Sequence, residues 1–189
     1  TVGWRRPPLL GSLIVSRRPW RPPHEVPVRQ VKPVTHRESI VALDAQALRR
    51  HVQAGDLSCV EVAEAAIAQV QTHNAALNAL VRFDPAFVRE QAAQADLRRT
   101  RGDRSPWLGI PVTVKDNLWI EGRPVATGSA LFRDFVAPGD AIAVARLRAA
   151  GAVVLGSTNC SEFACKGVTT NPLHGTTHNP WDLSRTPGG

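Results

Sequence analysis

"GIPVTVKDN", residues 109–117, is the stretch on which the fold reading turns. Ile110, Val112, Thr113 and Val114 are strand formers, and Gly109 and Asn117 bracket them with turn residues. The run therefore predicts a short strand over 110–114. It ends on Lys115, with Asp116 directly behind. Lysine is rare here: of 23 basic residues only Lys32, Lys115 and Lys166 are lysines, and the other 20 are arginines. An ammonium at the end of an apolar strand loses hydration, which favours the neutral amine and suits it to act as a base or proton relay. Arginine stays charged and cannot. The residues alone leave two readings open: Lys115 is a catalytic group, or it pairs with Asp116 or another carboxylate near the surface.

Downstream, "VAPGD" (136–140) predicts a turn, then a helix capped by Asp140, buried along Ala143, Val144, Leu147 and Ala150 and ended by Gly151. "AVVLG" (152–156) is a second apolar strand, as expected when both faces are covered. Strand, helical crossover and strand make a parallel α/β unit. Upstream, 44–54 fits a helix capped by Asp44 and closed by Gly55. "SCVE" (58–61) is a capping box, after which Val60, Ala63, Ile67 and Val70 share a face of a helix running to about Asn74. A third helix over 85–101 opens on Asp84-Pro85 and closes before Gly102. Residues 157–189 are rich in Gly and Pro and read as loops.

Charge divides the chain at about residue 38. Residues 1–40 hold eight basic and two acidic residues, a net of +6, and the other 149 hold 15 basic and 14 acidic, a net of +1. We therefore read 1–38 as a basic, Pro/Arg-rich disordered tail and 39–189 as the folded part. The near-neutral body carries no nucleic-acid footprint of its own, so an RNA- or membrane-binding module would have to work through the tail. No apolar run approaches a membrane span of about 20 residues. "LLGSLIV" (9–15) is interrupted by Gly11 and Ser12 and lacks a cleavage site, which argues against an export signal. Cys59, Cys160 and Cys165 match no zinc spacing and read as reduced thiols of a cytoplasmic protein. His174 and His178 are four apart, but Gly175 between them and Pro180 beyond argue against a helical metal pair. Phosphate loops and G-x-S-x-G elbows are absent, and Glu162 reads as a turn carboxylate.

Three segments in order carry a resemblance: "GIPVTVKDN", "GAVVLGSTNCSEFA" (151–164) and "NPWDLSRTPGG" (179–189). Together with a helical lead-in that includes "LNAL" (77–80), the chain from about residue 40 resembles the amidase signature family. The resemblance implies an α/β fold, a mixed sheet flanked by helices, that is incomplete in these residues. It implies hydrolysis of small-molecule carboxamides through a Ser–cis-Ser–Lys triad, with no cofactor and no metal, and it places the lysine at Lys115. The two serines would follow "TPGG", beyond Gly189, so the chain is expected to be an inactive N-terminal piece with an open sheet edge. Phe163 and Ala164, by their position after Thr158-Asn159, either line the acyl pocket or pack in the core. Within the family two readings remain open. One is a free amidase, and the other is the catalytic subunit of an amidotransferase that works with partner subunits on tRNA-linked substrates. The wording of 117–135 and 160–171 is more like the free amidases.

Overall fold

The structure is a computed structural model that describes residues 40–189. The expected tail, 1–38, lies outside the described residues. Local chemistry accounts for the helices. Helix α1 (Ala45–Ala54) starts where the Asp44 carboxylate accepts the Ala47 amide at 2.7 Å, and it ends at Gly55, whose φ of +87° a side chain would resist. Helix α2 (Cys59–Leu77) carries the expected capping box: Ser58 Oγ accepts the Glu61 amide at 3.0 Å and Glu61 accepts the Ser58 amide at 2.8 Å. It outruns its expected end by three residues, because Asn74 does not stop the helix. Its side-chain oxygen instead accepts the amides of Ala79 and Leu80, and Asn78, in a left-handed conformation, makes the stop. Its core face holds Val62, Ala63 and Ile67, whereas Val60 and Val70 are only half-buried.

That turn leads into strand β1 (Leu80–Phe83), which the sequence reading merges with the helical lead-in. Its burial does not alternate, so it leaves no period-two signal. Helix α3 (Pro85–Thr100) follows, with Asp84 capping it and Pro85 at its first position. The α3 residue Asp96 accepts the Cys59 and Val60 amides at 2.9 and 3.1 Å, placing a negative charge on the positive N-terminus of α2.

Strand β2 (Pro111–Lys115) and strand β3 (Val153–Thr158) are parallel, as expected, and β1 adds antiparallel on the other side of β3, giving the order β1-β3-β2. The sheet is mixed, as the α/β reading requires. The register slips between Val112 and Thr113, and past the end of β1 the α3 residue Gln91 bonds both the Val154 amide and its carbonyl. Side chains alternate across the sheet: Ile110, Val153 and Leu155 join the core under α1 to α3, while Val114 and Val154 pack with Ile120 and Val144 on the opposite face.

Val144 comes from helix α4 (Ile142–Ala149), which departs from expectation. Only Val144 of its stripe is buried, and Asp140 is not its cap. The Asp140 carboxylate accepts the Glu121 amide at 2.8 Å and two bonds from Arg148, so the turn is clamped to the segment after β2 instead. Beyond β3, which takes in Ser157 and Thr158 of the segment expected to be loop, the remainder is mostly loop, with short 3-10 turns at Ala130–Phe132 and Glu162–Ala164 and a small antiparallel pair, β4 (Thr170–Asn171) and β5 (Gly175–Thr176).

Candidate active site

Lys115 is the last residue of β2, paired with Thr158 at the end of β3, and is half-buried. Among the described residues its ammonium has no ion-pair or hydrogen-bond partner. Among the described residues, therefore, the salt-bridge alternative is not what the fold builds. Asp116 is committed elsewhere. It is fully buried, with its Oδ1 3.8 Å from Arg82 Nε and its Oδ2 3.8 Å from His174 Nε2. Gly128 donates its amide to Oδ2 at 3.3 Å. The backbone of Asp116 is equally engaged: its amide donates to Thr158 O and its carbonyl accepts from Thr127, both at 3.0 Å.

Burial shifts the titrating neighbours of this carboxylate. Burial holds the His174 imidazole below its ordinary 6.5, Asp116 pulls it back up and Arg82 pushes it down, so the neutral ring is favoured near neutral pH. Burial also pushes the Cys160 thiol up, Asp116 adds to this, and Lys115 pulls against it. That places Cys160 within the field of both Lys115 and Asp116. The cysteine is fully buried.

Phe163 and Ala164 are not core residues. Phe163 is 51% exposed, Ala164 is half-buried, and both hold left-handed φ angles, +52° and +55°. Two consecutive non-glycine residues in that region carry a conformational cost that surrounding contacts must sustain. Here the Phe163 amide donates to Thr127 O at 2.9 Å and the Ala164 amide to Ser161 O at 2.8 Å. Thr127, itself at φ +52°, donates to the Asp116 carbonyl, so the backbone runs from Lys115's neighbour to Phe163 through one residue. No hydrogen bond or ring contact joins Lys115 directly to Phe163 or Ala164 among the described residues. Glu162 is a turn carboxylate, as read, and accepts Ser129 Oγ at 2.8 Å.

The Phe163 ring opens a row of aromatic side chains. It meets Phe132 edge-on at 6.1 Å, Phe132 meets Phe135 at 6.2 Å, and Phe135 meets Trp119 at 5.4 Å. Phe132 and Trp119 are 40% and 43% exposed, so the row is open to a ligand or to further protein. A cleft of about 270 Å³ lies elsewhere, bordered by Arg82, Phe87, Ile120, Arg123 and Ser157, and Lys115, Phe163 and Ala164 do not line it. No group of His, Cys, Asp and Glu among the described residues could hold a metal ion, and no helix there is long and apolar enough to cross a membrane.

Sequence reasoning located Lys115 but overlooked Arg82 and the role of Asp116, and it weighed His174 only as a metal ligand. One local signal for Asp116 was available: it continues the alternation Val112, Val114 onto an inward position, where a carboxylate needs partners.

Comparison with known proteins places the chain in a family. A family model described as "Amidase" matches residues 61–189. The chain is 40% identical over 149 residues to a glutamyl-tRNA(Gln) amidotransferase subunit of Symbiobacterium thermophilum, covering 78% of this chain and 30% of that protein. It is 42% identical over 139 residues to an indoleacetamide hydrolase of Bradyrhizobium diazoefficiens, covering 73% and 26%. The solved peptide amidase of Stenotrophomonas maltophilia superposes with a TM-score of 0.72 at 33% identity, over 77% of this chain and 31% of that one. The chain thus spans less than a third of the length of these relatives.

Proposed function

Because this chain belongs to the amidase signature family, we propose that Lys115 is the general base of a carboxamide hydrolase, and that its two serine partners lie outside these 189 residues. The observation that carries the reading is the isolation of Lys115. It stands at the end of a sheet strand with no charged partner among the described residues, while the Asp116 carboxylate beside it faces Arg82 and His174 at 3.8 Å and accepts the Gly128 amide. As a neutral base Lys115 would draw the proton from the nucleophile through the bridging serine, then return one to the departing amine. Phe163 and Ala164 serve as acyl-pocket residues in this reading. Their exposure, their strained backbone and their one-residue link to Asp116 support it.

The substrate is a small amide with an apolar acyl or amine portion, because the side chains beside Phe163 are aromatic. The second reading, the catalytic member of an amidotransferase that works with partner subunits, draws on the identity to the Symbiobacterium protein. Co-purification of partner subunits with the intact protein would favour it. A binding module acting through the basic tail predicts salt-sensitive RNA binding that vanishes when residues 1–38 are removed.

The test is Lys115→Ala in the intact enzyme, assayed on a panel of primary amides. Turnover should fall by at least about 100-fold. Turnover that survives the substitution sinks the assignment. The 189 residues alone should not turn over. Amide hydrolysis by them that Lys115→Ala abolishes would refute that part.

A further inference from the structure

Asp116 is the only acidic side chain buried among the described residues, and it has no exposure at all. Removing a carboxylate from water is costly unless other groups meet its charge. An apolar residue would fill the site without that cost, as Val114 does two positions earlier on the same strand. What Asp116 has, and valine could not have, is partners in three other segments. Arg82 comes from β1, Gly128 from the turn after β2, and His174 from the loop between β4 and β5. The Arg82 guanidinium faces Asp116 Oδ1 at 3.8 Å, a charge attraction strengthened by burial, and His174, whose neutral ring is favoured near neutral pH, stands 3.8 Å from Oδ2; the charge of Arg82 and the amide of Gly128 draw β1 and the 127–128 turn to the end of β2. The Asp116 amide extends the β2–β3 pairing one step beyond Lys115, and its carbonyl holds Thr127.

We propose that Asp116 is a positioning residue: its buried carboxylate, facing the Arg82 charge and accepting the Gly128 amide, fixes the Lys115 end of β2 and anchors the 127–128 turn, with His174 of the β4–β5 loop packed beside it. The proposal rests on Lys115 being the base. Asp116 touches no substrate and acts through geometry. Loss of its charge frees Arg82 and the turn, and Lys115 then moves. A displacement of about 1 Å at a catalytic group costs on the order of 100-fold in rate.

Asp116→Asn tests this, since it preserves shape and an acceptor for the Gly128 amide while removing the charge. Two measurements are made together. In the intact enzyme, kcat on a cleaved amide should fall about 100-fold with KM unchanged. In the 189-residue chain, amide hydrogen exchange should quicken at Thr127 and Gly128 while the α2 amides around Ile67 keep their protection. Wild-type kcat, or wild-type exchange at 127–128, overturns the proposal. So does loss of protection throughout α2, which would mark Asp116 as a general stabiliser. Lys115→Ala is run beside it. If that variant keeps its turnover while Asp116→Asn still loosens 127–128, the base assignment fails and the anchoring by Asp116 stands.

Discussion

Gly156 is the residue on which the sheet is most sensitive to a single methyl group. It pairs with Phe83 of β1 on one side and Thr113 of β2 on the other, at the point where the β2–β3 register slips. A Cβ built there would stand 2.1 Å from the Arg82 carbonyl oxygen, and side-chain carbons essentially never come closer than 3.0 Å, so Gly156→Ala must force β1 and β3 apart by about 0.9 Å. The obstacle is backbone and cannot rotate away. Overpacking of this kind costs 1–3 kcal/mol, and a backbone clash falls at the upper end, about 3 kcal/mol. For a folded part of this length each kcal/mol lowers the melting temperature by roughly 2–4 °C, so Gly156→Ala should melt about 6–12 °C below wild type. Thermal denaturation followed by circular dichroism reads the shift. Gly139→Ala is the control, because a Cβ there meets nothing within 4 Å and its effect should stay within about 0.5 kcal/mol. A Gly156→Ala protein that melts within about 2 °C of wild type would refute the claim that β1 and β3 touch there without slack. The same displacement carries Arg82 away from Asp116, so the variant should also loosen the Thr127–Gly128 turn.

Three further outcomes are expected. In the native protein a maleimide should label Cys165 and spare Cys59 and Cys160, because Cys165 is exposed while burial and then Asp96 push the Cys59 thiol up to about 12. Mass spectrometry showing Cys59 modified as fast as Cys165 would count against the packing of α2. Ser58→Ala removes the acceptor for the Glu61 amide and one partner of the Glu61 carboxylate, and should cost about 1 kcal/mol in urea denaturation. An unchanged midpoint would mean that the capping box contributes nothing in this context. The hydroxyl and amide of Ser105, with Arg98, hold the Asp103 carboxyl down from its ordinary 3.8 to about 2. A carboxyl depressed in the folded state stabilises fully above its unfolded value, so this contribution should fade as pH falls from 3.8 toward 2. Asp103→Asn should remove that part of the acid slope, and a slope identical in both proteins would sink the assignment.

The local elements were legible because their causes lie within a few residues. Asp44, the Ser58–Glu61 pair and Asp84-Pro85 each satisfy amides of their own first turn, so a helix start can be read without knowing what the helix packs on. The same holds for β2 and β3, whose β-branched runs suit burial on both faces, and for Lys115, whose rarity and place marked it from the start. Asp140 shows where local reading fails. As a helix cap it was chemically sound, yet its carboxylate is taken by Arg148 and by the Glu121 amide, a competition settled only when α4 folds against the segment after β2. β1 was missed for a related reason: four half-buried residues carry no period of their own and become a strand only because β3 lies alongside. By itself, then, the sequence determined the α/β class, the starts of α1, α2 and α3 and the place of the lysine. The tertiary structure decided that Asp116 faces Arg82 and His174 and that Lys115 has no charged partner among the described residues, because a buried charge takes its partners from whatever segments the fold brings within reach.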